Sequence, residues 1–298
     1  MNMKKLLAAS LVVFVAVVCV IALSMNGSSR PRQTESGHRG DDPVATTDRR
    51  AMGSYTTLIS QKKLDPQFVQ PLGTRAFAIS RNGEFRPRGD AKEFILSRLG
   101  ASESGDSTAS YEMYLAALDC RNAGSPGELQ SARLLANQSD RQAALNSSER
   151  RLQECSSLLK DPDLSPPGTW LLKAAKQGSV EAMLLYAADT ESAFGGSAFA
   201  VKNPEAVIEW KQNAALFLNT AADLGSVDAL VALGRAHTNG IIVDKNPTEA
   251  YAYHLAAQKA MPSAFSEELL GMYRNELSSA QQQAAVSRAD AIHEGCCQ

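Results

Sequence analysis

The residues best suited to chemistry in this sequence are its five cysteines, Cys19, Cys120, Cys155, Cys296 and Cys297. No Cys-x-x-Cys pair occurs among them, which argues against both a dithiol redox motif and a zinc knuckle. Cys120 ends one predicted helix and Cys155 lies in a later one. If this part of the chain is exported, we expect the two to form a structural disulfide between antiparallel helices. The alternative is a pair of free thiols in a helical core.

The C-terminal sequence HEGCC at residues 293–297 joins a histidine to two adjacent cysteines. Soft metals prefer these ligand types, so a metal site is one interpretation. A frayed terminus, whose cysteines pair with each other or with another chain, is the simpler one. We expect Cys296 or Cys297 to pair with another chain or with an earlier cysteine. We predict no metal ligands.

Two histidines, His237 and His254, lie in the region with helical patterning. Acid–base catalysis would require a carboxylate beside one of them in a pocket. Asp228 and Asp244 are near in sequence, but spacing alone does not bring them together. The GxSxG, HExxH and GxxxxGK[ST] patterns are missing from the sequence. We therefore predict a protein that is not an enzyme, with no catalytic or cofactor-binding residues.

The N-terminal residues 6–25 contain no charged side chain, and about twenty apolar residues can cross a bilayer as a helix. Lys4 and Lys5 precede this run and favour a cytoplasmic N-terminus. We expect an uncleaved anchor within residues 1–25. The alternatives are a signal peptide, for which Ala22-Leu23-Ser24 offers a cleavage site, and a buried soluble helix.

These features predict a single-pass protein of the bacterial inner membrane with a periplasmic domain. The alternative location is periplasmic or secreted, after cleavage of a signal peptide. The formal net charge of -2 argues against a nucleic-acid partner, because nucleic-acid binders usually carry a basic excess.

The rest of the chain divides by composition. Residues 26–50 are polar and predict a flexible linker. Residues 51–90 contain several prolines and predict an irregular segment, in which residues 68–69 and 76–79 form short strands or an extended strap. Residues 91–298 predict a helical repeat domain. Its helices are expected at residues 92–99, 107–123, 128–136, 148–159 and 279–293, with others in the repeats between 171 and 260.

The C-terminal half repeats itself. Residues 171–183 (LLKAAKQGSVEAM) resemble residues 217–230 (FLNTAADLGSVDAL), and residues 253–260 form a weaker third copy. Ala222 and Ala257 are 35 residues apart, a spacing typical of stacked helix pairs. The first two copies are further apart, which indicates an insertion at residues 192–202, where the Gly195-Gly196 pair suggests a flexible loop.

This repeat resembles the Sel1-like repeat, a relative of the tetratricopeptide repeat. The resemblance rests on AADLG at residues 221–225, LG at 233–234, HTNG at 237–240 and DKNPTEAYAY at 244–253. It is clearest at residues 180–260 and implies an all-α fold, an α-solenoid of stacked antiparallel helix pairs behind the N-terminal membrane helix.

Local signals agree with this pattern. Asn246 and Asn203 each precede a proline and are expected to cap a helix, and Gly178 and Gly225 suit left-handed helix ends. Paired alanines are expected to let neighbouring helices approach closely: Ala174, Ala175, Ala221, Ala222, Ala256 and Ala257. One helix should bury a continuous stripe formed by Trp210, Ala214, Phe217, Ala221 and Leu224.

The resemblance implies a function in protein assembly. Our leading hypothesis is a membrane-tethered scaffold or adaptor of the cell envelope that binds a protein or peptide partner without catalysis. Leu230, Arg235 and His237 are candidates for its inner face. An alternative is a periplasmic enzyme or enzyme inhibitor whose active segment, residues 51–90, lies outside the repeats. A third hypothesis is a structural protein that self-associates through Cys296 or Cys297.

Overall fold

A computed structural model of the chain describes residues 69–80 and 86–298. The predicted anchor at residues 1–25 and the predicted linker at residues 26–50 lie outside the described residues, as does most of the segment 51–90. Within the described ranges, no helix combines the length and the apolar character that crossing a membrane requires.

The described part of the chain is mostly helical, with one small hairpin at its start. The two strands are β1 (Val69–Pro71) and β2 (Phe77–Ile79), which pair antiparallel. The helices are α1 (Ala91–Glu103), α2 (Ser107–Asn122), α3 (Pro126–Arg133), α4 (Gln138–Cys155), α5 (Pro167–Lys176), α6 (Val180–Ala188), α7 (Thr190–Phe194), α8 (Gly196–Ala200), α9 (Pro204–Asp223), α10 (Val227–Asn239), α11 (Pro247–Ala260), α12 (Glu267–Asn275) and α13 (Ser279–Cys297).

The long helices pack as pairs that follow one another along the chain. The principal contacts run from α1 to α2, then to α5, α6, α9, α10 and α11, and finally to α13. The pair α3 and α4 lies beside this row and contacts it through α1 and α2. The all-α prediction is therefore confirmed, and its helices form packed pairs.

The core runs continuously through these pairs because each helix turns one apolar face towards its neighbours. The six paired alanines are all buried, as the sequence predicts. In α9, Trp210, Ala214, Phe217 and Ala221 are buried, and Leu224, the residue directly after the helix, is half-buried. Full burial of a large apolar side chain contributes about 1.5–3 kcal/mol, so Trp210 and Phe217 anchor this helix.

Helix ends follow the predicted signals at three positions out of four. Gly178 and Gly225 both have positive φ, 102° and 96°, directly after α5 and α9. The Asn246 side chain accepts hydrogen bonds from the backbone N–H groups of Thr248 and Glu249. The prediction that the Asn203 side chain caps a helix was wrong.

The Asn203 side chain turns away from the helix that it precedes. Its amide donates to the backbone carbonyl of Phe199, 3.1 Å away, and makes no capping bond to α9. Pro204 still occupies the first turn of α9. The preceding short helix α8 therefore competes with α9 for the same side chain.

The insertion between the repeats is helical, so the expected flexible loop was wrong. It forms the short helices α7 and α8, which meet at Gly195 and Gly196. Both glycines have positive φ, 82° and 73°, a conformation that glycine adopts without steric cost. The glycine pair therefore ends one helix and starts the next.

The starts of α3 and α4 also differ from those predicted, and α1, α3, α4 and α13 end three or four residues from their predicted ends. α3 begins at Pro126, because the Ser125 hydroxyl accepts the N–H of Glu128 and caps it. α4 begins at Gln138, ten residues before the predicted start. Its first half is almost entirely exposed, so no apolar periodicity marked it in the sequence.

The hairpin packs against the turn between α9 and α10. The N–H of Phe77 donates to the carbonyl of Gly225 at 3.0 Å, and the N–H of Ile79 donates to the Asp228 carboxylate at 2.7 Å. Phe77 is 1% exposed. Strand β2 therefore belongs to the core of the array. For these residues the sequence was compatible with either a short strand or an extended strap, and the structure shows a strand.

Candidate functional site

A cleft of about 320 Å³ opens near the C-terminal end of the array. It lies where α9, α10, α11 and α13 meet. Its walls are formed by Asn219, Ala222, Asp223, Leu230, Tyr253, Arg288, Ala291, Ile292, Gly295 and Cys296. This volume lies at the lower end of the range for small-ligand pockets and suits one or two side chains of a partner.

Helical periodicity explains which side chains reach the cleft. In α13, Arg288, Ile292 and Cys296 are four residues apart and therefore share one face of the helix. The last turn of α9 contributes Asn219 and Asp223, both exposed to solvent. The cleft therefore combines an exposed polar rim with side chains fixed by helix packing.

The inner wall of the cleft is aromatic and hydrogen-bonded. The Tyr253 ring stacks on His237 with centroids 5.7 Å apart. Burial raises the pKa of the Tyr253 hydroxyl, so it stays protonated and can donate a hydrogen bond. The Arg288 guanidinium donates to this hydroxyl, and its Nε lies 3.3 Å from a carboxylate oxygen of Glu249.

The charges around the cleft are mixed. Arg288 is positive and is held by Glu249, whereas Asp223 of α9 adds a negative charge. The floor is apolar at Ala222 and Ile292, whereas Leu230 is fully buried and offers no surface to a ligand. The arrangement offers hydrogen-bond donors, acceptors and an apolar floor, the combination that binds a peptide segment or a polar small molecule.

The end of α13 differs from the frayed terminus of the sequence-based interpretation. The helix continues to Cys297, and Cys296 and Cys297 are only 4% and 5% exposed. The Arg75 guanidinium donates to the carbonyl of Gly295 at 3.0 Å. This contact and the packing of α13 on α11 hold the helix end in place.

The structure joins Cys296 to Cys297, so the expected pairing with an earlier cysteine was wrong, and pairing with another chain stays a prediction. Because α13 buries both cysteines together at its end, each has the other as its nearest sulfur. A sulfur atom in a disulfide bond is not a thiolate, which is the form in which cysteine binds a metal.

Cys120 and Cys155 are also joined, with Cα atoms 5.2 Å apart, and they connect α2 to α4. Both are within the core. Arg86 is buried beside them, with its guanidinium 3.4 Å from the Asp119 carboxylate and 2.9 Å from the Glu154 carboxylate. Asp119 approaches both sulfurs closely, but Arg86 neutralises it and the disulfide leaves no thiolate as a ligand.

The histidines and aspartates considered for acid–base chemistry make contacts that stabilise the fold. His254 is fully buried between the rings of Phe265 and Tyr273, and burial lowers its pKa to about 4. Asp228 holds strand β2, and burial raises its pKa. His237 faces the backbone carbonyl of Asp244, 3.3 Å from its Nδ1, rather than the carboxylate.

The predicted inner-face residues have different environments. Leu230 adjoins the cleft but is fully buried, and His237 stacks on Tyr253 of the cleft wall. Arg235 is exposed and does not line the cleft. Tyr253 and Arg288 were missed by sequence reasoning. The spacing on α13 could have indicated that Arg288 and Cys296 share a face, but not what that face contacts.

No model of a known protein family matches this sequence, and a search of curated proteins finds no match either.

Proposed function

We propose that this protein is a non-catalytic scaffold or adaptor that holds a segment of a protein partner in the cleft between α9, α11 and α13. The single observation that carries this proposal is the cleft itself, where an apolar floor lies below a polar rim supplied by three helices. Partner segments bind in such grooves through apolar anchors, and polar groups at the rim fix their orientation.

The architecture supports the same function. Packed helix pairs present extended surfaces that recognise other proteins. The Sel1-like pattern at residues 180–260 falls on α6, α9, α10 and α11, and its AADLG turn ends α9 at Gly225. We propose that these helices are Sel1-like repeats of an α-solenoid.

The proposal also includes a location. Two joined cysteine pairs are typical of proteins that fold in an oxidising compartment. Together with the apolar run at residues 6–25, they support a domain tethered to the bacterial inner membrane and exposed to the periplasm.

Site-specific photo-crosslinking in intact bacterial cells tests this function. A photoreactive amino acid replaces Asn219 at the cleft rim of the full-length chain, and a matched control carries it at Arg141, an exposed position on α4. We expect a discrete cross-linked protein from position 219, recovered with the membrane fraction, and none from position 141.

Filling the cleft provides the second arm. Ala291 is exposed and lines the cleft, whereas Ala284 is exposed on the same helix and does not. Ala291→Trp should abolish the cross-link from position 219, and Ala284→Trp should leave it intact. The proposal fails if position 219 yields no partner, if both positions give the same products, or if the two tryptophan variants behave alike.

A further inference from the structure

The two disulfide bonds of this protein differ in how much they stabilise the fold. The bond between Cys120 and Cys155 closes a loop across 35 positions, which restricts the unfolded chain and stabilises the fold. The bond between Cys296 and Cys297 joins neighbours and closes no loop beyond them. It therefore removes very little entropy from the unfolded chain and has no comparable stabilising role.

The two pairs also differ in their surroundings. Cys120 and Cys155 are 1% and 0% exposed, within the core between α2 and α4. Cys296 lines the cleft, which is open to solvent, and Cys297 does not line it. Cys296 therefore borders the open volume of the cleft, whereas Cys297, which is buried to a similar extent, does not line it.

We propose that Cys296–Cys297 is a thiol–disulfide exchange site, and that the cleft admits its substrate, a thiol carried by a small molecule or by a cysteine side chain. The role of the cleft as a partner-binding groove is not needed for this chemistry. The two proposals therefore stand or fall by separate experiments.

The exchange begins when the thiol loses its proton to solvent and its thiolate sulfur attacks Sγ of Cys296. A new bond forms between the substrate sulfur and Cys296. The bond between the two cysteines breaks, and its electron pair leaves with the sulfur of Cys297, which takes a proton from solvent. The product is a mixed disulfide on Cys296 and a free thiol on Cys297.

A second substrate thiol completes the reaction. Its thiolate attacks the substrate sulfur of the mixed disulfide, and Cys296 leaves as a thiolate that is then protonated. Two substrate thiols have then been oxidised to one disulfide, and the cysteine pair has taken up two electrons and two protons. Alternatively, Cys297 attacks Cys296, which regenerates the pair and releases the substrate thiol unchanged.

The order of the two cysteines gives the decisive test. In the full-length chain carrying Cys19→Ser, one variant has Cys297→Ser and retains the thiol of Cys296, and its matched control has Cys296→Ser and retains that of Cys297. Each is treated with a dipyridyl disulfide, and release of the coloured thione is followed. Since Cys296 borders the cleft through which a thiol would enter and Cys297 does not, we expect the Cys296 thiol to react at least about ten-fold faster in the folded protein.

In denaturant the two variants should react at similar rates. Ala291→Trp, added to the Cys297→Ser variant, should slow the folded-state reaction by narrowing the cleft. Equal folded-state rates for the two variants, or a faster Cys297, would overturn the proposal.

The unsubstituted pair is tested in the protein with only Cys19→Ser. The protein is incubated with glutathione and then alkylated, and peptide mass spectrometry identifies which cysteines carry the label. We expect label on Cys296 and Cys297 well before any appears on Cys120 or Cys155. Reduction of both pairs at the same rate, or of the core pair first, would contradict an exchange site, and this result does not depend on whether the serine variants fold.

Discussion

Gly225 lies where the end of α9, the hairpin and the end of α13 meet. It ends α9 with a φ of 96°, and its carbonyl accepts the N–H of Phe77. A methyl group added at this position would lie 2.5 Å from the carbonyl oxygen of Arg75 and 3.0 Å from that of Cys296. Glycine is therefore required here both by the backbone conformation and by the close approach of two other segments.

A pair of glycine substitutions separates these two requirements. Gly178 has a similar φ of 102°, but an added methyl group there meets nothing within 4 Å. We expect Gly178→Ala to lower the free energy of unfolding by about 1–2 kcal/mol, from the left-handed conformation alone. Gly225→Ala should lower the free energy of unfolding by about 2–4 kcal/mol, because backbone atoms of Arg75 must also move.

Urea unfolding of both full-length variants, followed by far-UV circular dichroism, measures this difference. Equal losses at the two positions would show that the hairpin does not approach Gly225 as closely as described.

At the scale of elements, the two cysteine pairs allow a matched comparison. The Cys120–Cys155 bond connects α2 to α4 and lies beside Arg86 and its two carboxylate partners. Together these contacts hold α3 and α4 against the main row of helices. The exposed polar face of α4 has few other contacts with the row, so this connection decides how firmly the helix is held.

We expect Cys120→Ser with Cys155→Ser to lower the free energy of unfolding by about 3–4 kcal/mol, the loop-closure value for this separation. Cys296→Ser with Cys297→Ser should change it much less, because that pair closes no loop. Chemical denaturation of the two double variants under oxidising conditions makes the comparison. If the C-terminal pair proved as costly to remove as the other, its bond would have a structural role that the present interpretation denies.

At the scale of the whole molecule, buried His254 links stability to pH. It is surrounded by Phe265 and Tyr273, and Gly234 leaves room for it, since a methyl group there would lie 2.3 Å from the imidazole ring. Burial lowers its pKa from 6.5 to about 4. The unfolded chain therefore binds a proton in a pH range where the folded chain does not.

This difference determines the sign of the pH effect. Stability is fully present above pH 6.5, where both states are neutral at this residue, and is lost as the pH falls towards 4, by up to about 3 kcal/mol. The raised pKa of Asp228 acts in the opposite direction, because its folded form retains a proton longer. Comparison of the protein with a single variant cancels the Asp228 contribution.

The variant is His254→Leu. Urea unfolding at a series of pH values from 7 to 4 should show a steeper loss of stability for the unsubstituted protein than for the variant. Parallel curves would mean that His254 does not remain neutral in the folded state.

Much of the fold could be predicted from local sequence. The stripe of α9, the helix of residues 107–122 and the caps at Asn246 and Gly225 all follow from periodicity and cap preference, which act within a few residues. The start of α13 at Ser279 was predicted correctly for the same reason. The membrane anchor at residues 6–25 and the Sel1-like assignment stay predictions.

The sequence by itself therefore determined that residues 91–298 are mostly helical and where some of the helices begin or end, because those properties arise from neighbours along the chain. Only the tertiary structure decided that Asn203 does not cap α9, that Gly225 receives a strand, and that Cys296 pairs with Cys297 at a cleft beside Tyr253. Some of these contacts join residues that are far apart in sequence, and others are chosen among several possible partners. Packing between helices, rather than any local pattern, selects among them.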